Sequence, residues 1–78
     1  MKNDIKTVMA KVFRLKVEDI PDSAAAGTLG PWTSLKHVEL ILHIERKFSV
    51  RFEDEMVGTL LTLEVIENAL KTALAGKK

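Results

Sequence analysis

Two segments of this chain place apolar residues at positions i, i+3, i+4 and i+7, the spacing of one face of an α-helix. A third segment with helical spacing lies between them and is described below. The first face consists of Ile5, Val8, Met9, Val12 and Phe13. The last consists of Leu63, Ile66, Ala69, Leu70, Ala73 and Leu74. Only residues 48–52 alternate like a strand, and so short a run without a partner cannot form a sheet. The pattern predicts an all-α fold.

Local signals set the bounds of the first two predicted helices. We expect helix 1 over residues 4–15, with Asn3 or Asp4 as the N-cap whose side-chain oxygen accepts a first-turn amide. Helix 2 is predicted to begin at Thr33 or Ser34, just after a glycine-proline break, and to end near residue 48.

The remaining signals predict two further helices. A short third helix is expected from Glu53 to about Gly58, because two acids in its first turn complement the helix dipole. Thr62 is the predicted N-cap of the last helix, which ends at Gly76. We therefore expect one domain over residues 1–78, a four-helix bundle with three main helices and one short one.

Residues 17–33 lack any periodicity and form a predicted long loop between helices 1 and 2. The helix-breaking residues in it are Pro21, Gly27, Gly30 and Pro31. A short helical turn is possible at Ala24–Ala26, and Ile20, Leu29 and Trp32 are expected to anchor the loop on the bundle. So long a connection in so small a domain is typical of a functional segment.

Composition excludes several classes of function. The chain has no cysteine and two histidines, so neither a disulfide framework nor a metal site is expected. A net charge of +1 with interspersed charges, and only Lys77 and Lys78 at the end, argues against nucleic-acid binding. No apolar run is long enough for a signal peptide or a membrane span, so we expect no membrane association and a cytoplasmic, monomeric protein.

Helix 2 carries two apolar stripes instead of one. A wheel at about 100° per residue groups the predicted core-facing residues Leu40, Ile41, Ile44 and Phe48. The second stripe, centred about 135° away on the same wheel, consists of Leu35, Val38 and Leu42. Either the long loop covers this second stripe or it is exposed and docks a partner, and the sequence leaves both open.

Ser34 stands at the entrance of helix 2 and has two interpretations. As an N-cap its hydroxyl would accept a first-turn amide, which is the ordinary role of such a serine. Alternatively the hydroxyl points outward, and a phosphodiester formed on it would lie near unpaired amides and the positive end of the helix dipole.

A resemblance favours the second interpretation. Residues 32–48 read Trp-Thr-Ser-Leu-Lys-His-Val-Glu-Leu-Ile-Leu-His-Ile-Glu-Arg-Lys-Phe and are similar to the signature helix of acyl and peptidyl carrier proteins. In that family an Asp-Ser-Leu tripeptide opens the helix, and a Val-Glu-Leu-like run and a Glu-x-x-Phe ending follow. The resemblance continues through residues 52–55 and 62–63 into the last helix, and covers nearly the whole chain.

The resemblance implies a carrier that catalyses no reaction itself. Ser34 would receive 4'-phosphopantetheine from coenzyme A through a phosphopantetheinyl transferase, and the thiol of the arm would carry a thioester-linked acyl, aminoacyl or polyketide intermediate. Leu35, Val38, Glu39 and Leu42 would contact the transferase and the acyl- or aminoacyl-loading and acyl-processing enzymes. The general setting would be fatty acid or polyketide biosynthesis.

Two departures from the family pattern matter: the first bears on whether and by which transferase Ser34 is modified, and the second points to a specialised pathway. Thr33 occupies the place of the usual aspartate, a carboxylate that often contributes to recognition by the transferase. Basic residues make helix 2 and its end nearly neutral where many fatty-acid carriers are strongly acidic, and charge sets partner choice. They are Lys36, Arg46, Lys47 and Arg51.

Cargo can be held between the helices or outside them. The candidate cavity walls are Val12, Phe13, Leu40, Ile44, Ile66 and Leu70. Plain core packing is the ordinary role for each of these residues.

Two other functions compete with the carrier hypothesis. The first is an unmodified, carrier-like module that only docks partners through the second stripe. The second is an enzyme using Ser34 and His37, which are i, i+3 on one helix, but no orienting acid or oxyanion donors accompany them. We expect His37 and His43 to face solvent or a partner.

Overall fold

The computed structural model describes residues 1–76, and Lys77 and Lys78 lie outside the described residues. The chain forms three long helices and one short one, with the long predicted loop between the first two. Residues 1–76 contain no strand, and the alternating run 48–52 consists of the last residue of the second long helix and part of the connection that follows it. The all-α bundle predicted from the sequence is confirmed.

Helix α1 spans Lys2–Phe13, so it begins and ends two residues before the predicted bounds. Its N-cap is Met1, which contributes no side-chain hydrogen bond, and the prediction of Asn3 or Asp4 as the cap was wrong. Both residues lie inside the first turn, where the Asp4 carboxylate complements the positive end of the helix. Arg14 ends the helix in the left-handed region, with φ of 59°.

The long loop begins with a 3₁₀ turn at Val17–Asp19. No helix forms at Ala24–Ala26, but the carbonyl of Ala25 accepts the amides of Thr28 and Leu29 at 3.1 and 2.9 Å, so a single turn follows Ala25. Ala24 and Ala26 pair with the connection to the last helix. The amide of Ala26 donates to the carbonyl of Leu61, and the amide of Leu63 donates to the carbonyl of Ala24, both at 2.9 Å. These two bonds satisfy backbone polar groups of the loop and of the connection.

The expected loop anchors are confirmed. Ile20 and Trp32 are almost completely buried, and Leu29 packs against the core as a partly buried residue. The ring centroids of Trp32 and Phe13 lie 5.5 Å apart, so the end of α1 contacts the end of the loop just before the second helix.

Helix α2 spans Ser34–Phe48, α3 spans Asp54–Val57 and α4 spans Leu63–Ala75. The Thr62 hydroxyl caps α4 as predicted and accepts the amide of Val65 at 3.0 Å. The side of α2 predicted to face the core is buried, with Phe48 partly buried at its edge. The three long helices thus enclose one hydrophobic core.

The described part of the chain contains no helix that is both long and apolar enough to cross a lipid bilayer.

Candidate functional site

Thr33, and not Ser34, is the N-cap of α2. Thr33 has extended backbone angles, and its hydroxyl accepts the amide of Lys36 at 3.3 Å while its carbonyl accepts the amide of His37 at 2.8 Å. Ser34 is therefore the first residue within the helix. Capping is provided by the preceding residue, and the interpretation of Ser34 as the cap was wrong.

Ser34 is solvent-exposed, and its hydroxyl makes no hydrogen bond to any other residue in the range 1–76. The backbone amides of Ser34 and Leu35 likewise find no acceptor in that range. These amides lie at the positive end of α2, where a helix stabilises a negative group. The local geometry thus suits a phosphate attached to this hydroxyl.

An open cleft of about 610 Å³ adjoins Ser34. Its lining consists of Ala26, Gly27, Trp32, Thr33, Ser34, His37 and Leu61. The backbone pairing of Ala26 with Leu61 places the loop and the α3–α4 connection on the sides of the cleft. The floor and rim are largely apolar, and Leu61 is 45% exposed.

His37 is buried, contrary to the prediction that it faces solvent or a partner, and only 9% of its surface is exposed. Its Nδ1 accepts the indole N–H of Trp32 at 3.0 Å, and its Nε2 lies 2.7 Å from the carbonyl oxygen of Val57. Because a tryptophan nitrogen can only donate, Nδ1 is the acceptor and Nε2 carries the proton. The imidazole therefore links the loop, α2 and α3.

This arrangement does not fit a Ser34–His37 catalytic pair. The only acceptor nitrogen of the neutral imidazole is occupied by Trp32, so His37 has no lone pair with which to take a proton from Ser34. His43, by contrast, is only partly buried, as expected for the polar side of α2.

The second stripe is exposed along its whole length. Leu35 is 71% exposed, Val38 52% and Leu42 49%, so the long loop does not cover it. Glu39 lies close to this stripe on α2, and its carboxylate accepts from Lys36 Nζ at 3.3 Å. The sequence left the choice between loop coverage and exposure open, and the structure shows exposure.

A shallow groove of about 320 Å³ runs beside the second stripe, between α2 and the segment that contains α3. Val38 and Leu42 form one wall, and Phe52 and Val57 form the other. Glu45 also lines the groove, and its carboxylate accepts the amide of Phe52 at 2.8 Å.

The proposed cavity walls belong to the packed core. All six of these residues are buried, and four of them, Leu40, Ile44, Ile66 and Leu70, have no exposed surface. The ordinary role as core residues is the one that the structure shows.

Sequence reasoning missed the roles of His37 and Glu45. For His37 a signal was present, because Leu40, Ile41 and Ile44 follow it at i+3, i+4 and i+7, which places the ring on the core side of α2. For Glu45 there was none, since its partner is a backbone amide beyond the end of the helix.

A comparison with models of protein families gives no match, and neither does a comparison with curated protein sequences. Residues 1–76 contain no group of three or more His, Asp or Glu side chains that could bind a metal ion.

Proposed function

We propose that this protein is an acyl-carrier-like protein that carries a thioester-linked acyl, aminoacyl or polyketide intermediate on a 4'-phosphopantetheine arm attached to Ser34. The observation that carries the proposal is the exposed Ser34 hydroxyl, which Thr33 relieves of the capping role. A transferase can therefore reach this oxygen without first breaking a hydrogen bond within the protein.

The surroundings of Ser34 fit a phosphodiester. A phosphate on this hydroxyl would lie close to the free amides of Ser34 and Leu35, in a setting where the helix dipole favours negative charge by about 0.3–1 kcal/mol. When bound, the arm would supply the thiol that this cysteine-free chain lacks. The chain itself would hold the phosphate and present the arm at the open cleft.

The second stripe supports the part of the proposal that concerns docking of partner enzymes. Three exposed apolar residues on one helix face, next to a groove, are what a docking enzyme can bury. In this role Leu35, Val38, Glu39 and Leu42 contact the transferase and the enzymes that load and process the cargo. The near-neutral charge of α2 supports a specialised pathway, because charge complementarity sets partner choice.

The test is the intact mass of the purified protein after incubation with coenzyme A and a broad-specificity phosphopantetheinyl transferase. We expect the mass to increase by one phosphopantetheine, and Ser34→Ala to remain unmodified. Ser23→Ala is the matched control, since Ser23 is also exposed but lies in the loop, and it should be modified like wild type. Absence of modification of wild type by several transferases, or modification of Ser34→Ala, would contradict the proposal.

A second candidate function is an unmodified carrier-like module that docks partners through the second stripe. The observation that favours it is Thr33 at the position of the family's aspartate. It predicts that Ser34→Ala leaves function in cells intact while Leu42→Asp abolishes it. Under the carrier proposal both substitutions abolish function.

A further inference from the structure

A second groove, which we call the basic groove, lies between α1 and the carboxyl-terminal half of α2. It has a volume of about 390 Å³ and shares no lining residue with the second stripe or with the cleft beside Ser34. Its lining consists of Thr7, Val8, Lys11, His43, Arg46 and Lys47.

The charge of the basic groove is not balanced locally. Lys11, Arg46 and Lys47 are all exposed, the lining includes no carboxylate, and none of the three forms an ion pair within residues 1–76. The net charge of the whole chain is only +1, so this groove is a local concentration of positive charge on a nearly neutral protein. Cations gathered in a concave site raise the local concentration of anionic groups.

The helix dipole explains part of this arrangement. Lys11 lies in the last turn of α1, and Arg46 and Lys47 lie in the last turn of α2, where a cation is favourable. The dipole acts on each helix separately, however. The dipole therefore does not explain why cations from two helices line the same groove, or why no carboxylate lines it.

We propose that the basic groove is a docking surface for a carboxylate-rich segment of a partner protein. The floor of the groove includes the buried side chain of Val8, which a flat lipid surface cannot reach. No Phe, Tyr or Trp side chain lines it and His43 supplies its only ring, so it lacks the row of stacking rings typical of a site for single-stranded nucleic acid. An acidic peptide can pair with the rim cations and place an apolar side chain on the floor.

The position of the groove makes this interaction independent of Ser34. Arg46 lies 12 residues after Ser34 on the same helix, which corresponds to about 18 Å along the axis. A bound acidic segment would therefore leave the Ser34 hydroxyl accessible. The inference does not rest on the proposed function, and its test uses the unmodified chain.

The test is fluorescence anisotropy with a fluorescein-labelled, Glu-rich peptide of about eight residues that also contains leucine. We expect the groove variant Lys11→Glu/Lys47→Glu to bind at least about tenfold more weakly than wild type, because two attractive contacts become repulsive. The matched control is Lys16→Glu/Lys71→Glu, which makes the same charge change at exposed residues outside the groove and should lose less than about threefold. Amide chemical shifts should change at Val8, Lys11 and Arg46 on titration.

Three results would overturn the proposal. They are equal weakening in the groove and control variants, no binding of the peptide to wild type at low salt, and tighter binding of anionic phospholipid vesicles or a single-stranded oligonucleotide than of the peptide. Circular dichroism checks that both variants fold. If the groove variant does not fold, Lys11→Gln/Lys47→Gln against Lys16→Gln/Lys71→Gln makes the same comparison.

Discussion

The indole nitrogen of Trp32 and Nδ1 of His37 lie 3.0 Å apart, and this bond determines which nitrogen of the imidazole carries its proton. The protonated Nε2 then donates to the carbonyl of Val57 at 2.7 Å. Trp32 lies in the long loop, His37 lies in α2, and Val57 is the last residue of α3. One buried side chain thus joins three segments around the cleft beside Ser34.

Removing the indole donor should destabilise the fold. Trp32→Phe keeps an aromatic ring in the core but leaves Nδ1 of the buried His37 without a partner, at an expected cost of about 1–3 kcal/mol in the free energy of unfolding. Urea unfolding followed by circular dichroism measures this cost. His43→Ala on the polar side of α2 is the control and should change stability by no more than about 0.5 kcal/mol.

A double-mutant cycle measures the total coupling between Trp32 and His37, which includes the hydrogen bond and the stacking of their rings. If the two side chains interact, Trp32→Phe/His37→Ala should lose less stability than the sum of the two single variants. Strictly additive losses would mean that the two side chains stabilise the fold independently of each other.

Substitutions at Thr33 should separate capping from recognition by the transferase. Thr33→Ala removes the acceptor of the Lys36 amide and should cost about 1 kcal/mol in the free energy of unfolding. Thr33→Asp keeps a good cap, so we expect stability close to wild type. It also introduces the aspartate found at this position in carrier proteins, so, under the proposed function, we expect faster modification of Ser34. Thermal unfolding and the rate of mass increase with the transferase are the two measurements.

Thr62→Ala is the matched control for Thr33→Ala, because Thr62 caps α4 through the same type of bond. It should lose similar stability without changing the rate at which Ser34 is modified. If Thr33→Asp is modified no faster than wild type, the missing carboxylate does not limit the rate at which the transferase modifies Ser34.

The helices were predictable from sequence because their signals are local. The apolar spacing of α4 and its Thr62 cap lie within one segment, and both are confirmed. The start of α1 was not predictable, because Met1 offers no side-chain cap to mark it. Apolar periodicity thus predicts that a helix exists, whereas its exact ends can be predicted only where a side-chain cap marks them.

The site was only partly predictable because its decisive contacts join distant parts of the chain. A helical wheel groups the second stripe, but its exposure depends on the path of the loop, which is fixed by the pairing of Ala24 and Ala26 with residues 61–63. The apolar spacing of α2 placed His37 on the core side, but the hydrogen bond that satisfies its buried ring joins it to Val57, 20 residues away in the chain. Neither contact leaves a pattern in the local sequence.

Leu40 and Leu42 are two residues apart on α2 and should respond very differently to truncation. Leu40 has no exposed surface, so Leu40→Ala should cost about 2–5 kcal/mol in the free energy of unfolding. Leu42 is 49% exposed, so Leu42→Ala should cost less than about 1 kcal/mol. Urea unfolding of both variants measures the difference.

Leu42→Ala also tests whether the second stripe is a docking surface. If it contacts the transferase, Leu42→Ala should be modified more slowly than wild type although it remains folded. Modification of Leu42→Ala at the wild-type rate would remove the second stripe from the surface that the transferase contacts.

The ion pairs that join the long loop to α1 should make stability depend on pH and salt. Asp22 accepts a hydrogen bond from Lys6, and this bond, with the charges of Lys2 and Lys6, holds the pKa of the Asp22 carboxyl below its ordinary value of 3.8. A lowered pKa means that the ionised form stabilises the folded state. This contribution is therefore present above the ordinary pKa and is lost as the pH falls through the lower pKa of the folded protein.

We accordingly expect the melting temperature of Asp22→Asn to lie below that of wild type near neutral pH and low salt. The difference should shrink as the pH falls below the ordinary pKa of 3.8 and through the lower pKa of the folded protein, where the wild-type carboxylate becomes protonated. Added salt should also reduce it, because Asp22 is exposed and the interaction is screened. Asp19→Asn is the control, since Asp19 is exposed and forms no ion pair within residues 1–76. A difference between Asp22→Asn and wild type that persists unchanged at low pH and high salt would show that Asp22 acts through packing and not through its charge.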